Sequence, residues 1–135
     1  MPENPVGKTK SQGWEVGVSR TLPIPENKAW QMILSALALP PEDGPESIDY
    51  RPGTSFETDD GTQGEIRSYE PGRLIRMKWQ PKGSNTNTTL QIRITPAKTG
   101  TRISVHHEWL ADSQHREAMR AQWARILEDL KDSIT

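Results

Sequence analysis

The chain has 135 residues, 32% of them hydrophobic, and 17 basic against 18 acidic side chains leave a net charge of -1 at pH 7. One domain's length, balanced charge and no cysteine exclude a disulfide scaffold, a thiolate nucleophile, a cysteine zinc site and an electrostatic footprint for nucleic acid. No apolar run approaches the roughly 18 residues of a membrane span and no basic-then-apolar leader opens the chain, so a cytoplasmic protein with no membrane contact is expected.

Residues 1–13 hold Pro, Gly, Lys and little to bury, and are expected to form a loose tail before a single domain over 14–135. Trp14, Val16, Val18 and Leu22 alternate and predict a first strand, which Pro23 and Pro25 end because neither can donate to a ladder. Pro25 and Glu26 open a helix well, and Trp30, Ile33, Leu34 and Leu37 fall at helical spacing to about Leu39. Pro40 and Pro41 stop it. The turn-rich stretch that follows has room for a short strand around Ile48 and Tyr50, then one at Thr54–Thr58 centred on Phe56.

Two strands follow at Gln63–Glu70 and Arg73–Gln80, joined by the turn Pro71-Gly72. In the second, Ile75, Met77 and Trp79 face one way and Leu74, Arg76, Lys78 and Gln80 the other, the pattern of a sheet with one wet face. Thr88–Thr95 puts Leu90, Ile92 and Ile94 on one face, and Thr101–Leu110 puts Ile103, Val105, His107 and Trp109 on one face. A long helix ends the chain, with Asp112 or Ser113 as N-cap and Met119, Trp123, Ile126, Leu127, Leu130 and Ile134 as its apolar stripe. Consecutive antiparallel strands need one face covered, and only this helix is long enough to lie across them.

Several short motifs stand in a telling order: Pro25…Trp30, Arg51-Pro52-Gly53, Asp60-Gly61, Gly64, Pro71-Gly72-Arg73-Leu74 and Trp79. Gly100-Thr101-Arg102-Ile103, His107-Glu108 and Trp123…Leu127…Leu130 complete it. The order resembles the activator of heat-shock-protein-90 ATPase homologue family, part of the START-like or SRPBCC superfamily, over nearly all of the chain after Val18. The resemblance implies an α+β helix-grip fold: a curved antiparallel sheet of about six to seven strands wrapped around the long C-terminal helix. It also implies an apolar or amphipathic small molecule held between sheet and helix. The family's namesake activity, co-chaperone stimulation of an ATPase with its link to the stress response, depends on an additional N-terminal domain for which this chain has no room. Where relatives carry a second helix after the first, this sequence has only Pro40-Pro41-Glu42-Asp43-Gly44.

The expected pocket wall comprises Phe56, Ile66, Met77, Trp79, Leu90 and Ile92 from the first sheet strands. His107 and Trp109 join it from the last strand, and Met119 and Trp123 from the helix. His107 on an apolar face reads as a buried, hydrogen-bonded core histidine before it reads as a ligand-orienting group or a general acid/base. His106 points the other way, so the adjacent pair cannot converge on one ion; no metal, no cofactor and no catalytic residue is assigned. His115 lies in the helix's first turn, exposed or at the pocket mouth.

Three functions remain open. Binding of an apolar small molecule leads. A chaperone-related interaction module, docking a chaperone or another protein, would have a filled interior and an exposed apolar patch. A cyclase- or dehydratase-like enzyme would use His107.

Overall fold

A computed structural model of the chain describes residues 8–9 and 13–134. Among the described residues seven strands and two helices follow in order: β1 Lys8–Thr9, β2 Gly13–Leu22, α1 Glu26–Ala36, β3 Ser55–Glu57 and β4 Gln63–Glu70. β5 Leu74–Gln80, β6 Thr88–Ala97, β7 Gly100–Leu110 and α2 Ser113–Asp132 complete the chain. Most of the expected tail lies outside the described residues; from it, Lys8–Thr9 pair with Trp14 and Gly13. Among the described residues no helix is long and apolar enough to cross a membrane.

The strands form one antiparallel sheet in the order β1-β2-β7-β6-β5-β4-β3. β3 to β7 meander, each beside the next. β2 closes the set by pairing with the last strand, from Val16 opposite His107 to Leu22 opposite Thr101. The resulting curved α+β helix-grip architecture is the one the family resemblance implies. α2 packs chiefly against β2 and β7, and α1 against β6 and β7. An ion pair at 2.8 Å between Arg20 and Glu128 bridges β2 and α2 at the half-exposed edge of that contact.

Both helix ends have local causes. At α2, the Asp112 side chain accepts from the His115 backbone N–H at 2.7 Å, and His115 Nδ1 accepts from the Ala111 N–H at 3.0 Å. These are reciprocal bonds of the capping-box kind. They make His115 a cap residue rather than part of a pocket mouth. α1 stops at Ala36, short of the Leu39 that its periodicity predicts. Ala38 turns left-handed (φ 57°), its N–H bonds to Ser35 O at 3.0 Å, and Leu39 N–H bonds to Leu34 O at 3.1 Å. This is a Schellman ending with an alanine where glycine is usual, and it folds Leu39 back beside Leu34. Ile48 and Tyr50 lie in a loop, not in a strand.

One irregularity overturns an expectation. In the β2–β7 pair Trp14 lies opposite Leu110 and Val16 opposite His107, so Glu15 faces two residues, Glu108 and Trp109. Such a bulge adds one residue and breaks the alternation beyond it. Trp109 takes φ 63°, a left-handed conformation rare for a bulky residue. Its indole, expected on the wall beside His107, is thrown out to 43% exposure. Gly13 makes room for it, since a Cβ there would meet Trp109 Cε3 at 3.0 Å.

At the other end of the sheet, Phe56 covers its cross-strand partner Gly64. A Cβ at Gly64 would lie 2.3 Å from Phe56 Cζ and 2.4 Å from Lys78 O. Gly64→Ala is therefore expected to destabilise the fold by roughly 1–3 kcal/mol, an overpacking cost. Thermal unfolding reads this as a melting temperature several degrees lower, and an unchanged midpoint would contradict the contact.

Candidate functional site

The concave face of the sheet meets α2 along a seam of apolar side chains. Ile66, Met77, Leu90 and Ile92 reach it from β4, β5 and β6, and all four are fully buried. α2 answers with Trp123 and Leu127, each 1% exposed, while Met119 is half-buried at the margin. Phe56 and Trp79 close the β3 end, their rings 6.2 Å apart and tilted by 49°. Side chains without accessible surface adjoin no gap that a water molecule could enter. The grip is packed as a core.

The structure thus brings together nine of the ten expected wall residues and leaves out Trp109. A polar thread runs through their centre. Trp123 Nε1–H, which can only donate, bonds to His107 Nδ1 at 3.1 Å. His107 Nδ1 is then bare and its proton sits on Nε2, which lies 2.7 Å from Thr88 Oγ1. Thr88 in turn donates to Trp79 O at 2.6 Å. Every donor and acceptor along the thread is used, and the tautomer follows from the partners.

The same setting governs charge. Burial, and after it the charges of His115 and His106, push His107 from its ordinary value near 6.5 down to about 3. The imidazole is neutral at neutral pH, and both its nitrogens are engaged within the protein. Neither ring nitrogen of His107 is free to pass a proton to a bound molecule.

A second cluster, unforeseen in the sequence, holds the segment 40–43 that follows α1. Glu42 accepts from Trp30 Nε1 at 3.1 Å and, through its other oxygen, from the Tyr69 hydroxyl. The Tyr50 hydroxyl donates to Pro40 O, and the Tyr50 and Tyr69 rings stack at 5.2 Å. Burial, then the Glu42 charge, raises Tyr50 to about 12. Tyr69 is raised as well, by burial first. Both phenols stay protonated and keep their donors. Beside this knot an open groove of about 460 Å³ runs between α1 and the prolines, lined by Leu34, Leu39, Pro40, Pro41 and Glu42 among others.

Comparison with known proteins places this geometry. The family model described as Activator of Hsp90 ATPase homolog 1-like protein matches residues 24–135. No curated protein matches the chain. Among solved structures, a Mesorhizobium loti protein is similar at TM-score 0.67 and 17% identity, over 87% of this chain and 94% of its own. CalU16 from Micromonospora echinospora is similar at TM-score 0.68 and 18% identity, over 89% and 73%. An HSP90 activator from Plasmodium falciparum is similar at TM-score 0.66 and 14% identity, over 89% and 95%. Identities this low speak for the shared fold.

The polar thread makes two predictions. The folded state keeps His107 neutral down to about pH 3, whereas the unfolded chain protonates it below about 6.5. The unfolded state therefore binds the extra proton between those values, and stability falls as pH drops through that window by about 1.4 kcal/mol per unit. Urea unfolding across this range should show the slope, and His107→Gln should flatten it by one proton's worth. Trp123→Phe keeps most of the ring but strips His107 Nδ1 of its donor, for an expected loss of roughly 1–3 kcal/mol. Trp123→Ala should cost more, roughly 3–5 kcal/mol. Equal effects of the two substitutions would show that the hydrogen bond contributes little beyond volume.

Proposed function

The chain belongs to the Activator of Hsp90 ATPase homolog 1-like family, and on that premise we propose that it is a non-catalytic helper domain acting through its surface on a partner protein. The filled grip carries this reading. A carrier of drug-sized ligands needs a cavity of about 300–1,000 Å³. Opening one here would pull Trp123 and Leu127 from the sheet and strand the buried polar atoms of His107 and Thr88. The surface offers Trp109, the one exposed large hydrophobic side chain among the described residues. Trp is enriched among the residues that anchor protein interfaces, and this one is held out by a bulge. The family's description, and the HSP90 activator among the similar structures, point to an Hsp90-type ATPase as partner class. A cytoplasmic place and a part in the stress response go with this reading.

The test is the turnover of an Hsp90-type ATPase with the chain added, together with the affinity between the two. Saturable binding to the ATPase is expected. Trp109→Ala should weaken binding by about 2 kcal/mol, roughly 30-fold, with little change in melting temperature. An inert ATPase together with saturable stabilisation by amphipathic compounds would overturn the proposal.

The groove beside α1 favours a second reading, in which an apolar or amphipathic small molecule binds there rather than under α2. Its volume of about 460 Å³ lies in the small-molecule range. A compound at about 100 times its dissociation constant would add about 2.7 kcal/mol of stability. Ser35→Trp, which fills the groove from an exposed position of α1, should abolish that gain.

A further inference from the structure

The bulge that expels Trp109 also gathers three ligating side chains on the outer face of the sheet. Glu15 from β2 and His106 and Glu108 from β7 present two carboxylate oxygens and a ring nitrogen, all within 4.8 Å of one another. His106 and Glu108 are two apart on one strand and share a face, and Glu15 sits opposite the bulged pair. The adjacent pair His106–His107 diverges; the i, i+2 pair His106 and Glu108 converges.

Three further facts mark this as more than a patch of surface charge. Glu108 is 1% exposed, an unusual depth for a carboxylate. Arg76 holds one of its oxygens at 2.5 Å and reaches Gln91 at 3.3 Å. Glu15 Oε1 lies 3.5 Å from His106 Nε2, and Glu15 Oε2 is shut off from solvent with no hydrogen-bond partner. A buried carboxylate oxygen without a donor is costly, and native proteins leave few of them unexplained. Arg76 pairs with Glu108, while the Glu15 carboxylate stands beside the imidazole of His106.

We propose that Glu15, His106 and Glu108 bind a first-row divalent transition metal, with Zn²⁺ as the reference ion and water as the fourth ligand. One imidazole nitrogen with two carboxylates suits zinc and its neighbours, whereas Mg²⁺ and Ca²⁺ take all-oxygen shells. Zinc–ligand bonds of about 2.0–2.1 Å bring donors to roughly 3.3 Å from one another. Binding therefore requires side-chain rotations that draw the three donors together. Arg76 then acts on the metal through Glu108, fixing which carboxylate oxygen faces it. The bound ion would staple β2 to β7 at the bulge.

Zn²⁺ titration of the intact chain by calorimetry near neutral pH tests the site, with Co²⁺ visible absorption as an independent readout. One ion per chain is expected. Glu15→Gln and His106→Gln should each weaken binding about tenfold or more. Glu65→Gln, on the same face but outside the cluster, should leave it unchanged. Should His106→Gln fail to fold, Glu15→Gln decides. Lack of saturable binding up to about 1 mM Zn²⁺, a free energy near -4 kcal/mol, would overturn the proposal. So would undiminished affinity in folded Glu15→Gln.

Discussion

The hydrogen-bond thread from Trp123 through His107 to Thr88 and the carbonyl of Trp79 is the constraint on which the rest of the structure depends. Apolar contacts between a helix and a sheet are non-directional and tolerate sliding. Polar atoms buried among them do not, because each must find its partner or incur a desolvation cost. The thread passes from α2 to β7, then to the start of β6 and the end of β5. One placement of α2 satisfies every atom along it. That placement seats Trp123 and Leu127 in the buried cluster that also holds Ile66, Met77, Leu90 and Ile92, and the grip is filled. The helper-domain reading follows from that packing, since an occupied interior moves function to the surface.

The surface, in turn, is shaped by one extra residue. The bulge in β7 turns Trp109 outward and aligns Glu108 with Glu15 and His106. Bulges often re-aim side chains next to functional sites. Here a single backbone irregularity supplies both an exposed aromatic and a compact set of ligating groups. β5 obeys plain alternation, whereas the β2–β7 pair departs from it at the bulge and the β4–β5 pair shifts register between Ile66 and Ser68.

How far the sequence could be read follows the same division. β4 was legible residue for residue, and β2, β3 and β5 to β7 to within a few, because period-two alternation marks most of their length; β1 was hidden in the expected tail, and the strand expected around Ile48 and Tyr50 is a loop. The family resemblance rested on turns such as Pro71-Gly72 and Gly100-Thr101, whose chemistry is local. Trp109 was misplaced because nothing in Thr101–Leu110 announces a bulge; the left-handed position carries Trp, not Gly. The early end of α1 was hidden likewise, with Ala38 in the glycine's place. His107 was legible as an inward residue, but its partners Trp123 and Thr88 come from distant segments. Glu42, Tyr50, Tyr69 and Trp30 meet only in three dimensions, so the closure at Pro40–Asp43 had no signal in the sequence. Whether the grip was hollow or filled depended on volumes that no periodicity encodes.

The most direct test of this account is nitrogen-detected NMR of the His107 imidazole across the acid range. The filled grip predicts one neutral tautomer, protonated at Nε2 and bare at Nδ1, with no titration down to about pH 4 while the chain stays folded. Fast tautomer exchange, or a titration near 6.5 in the folded protein, would place His107 in contact with water. The grip would then be open, and the case for a surface-acting helper domain would fall with it.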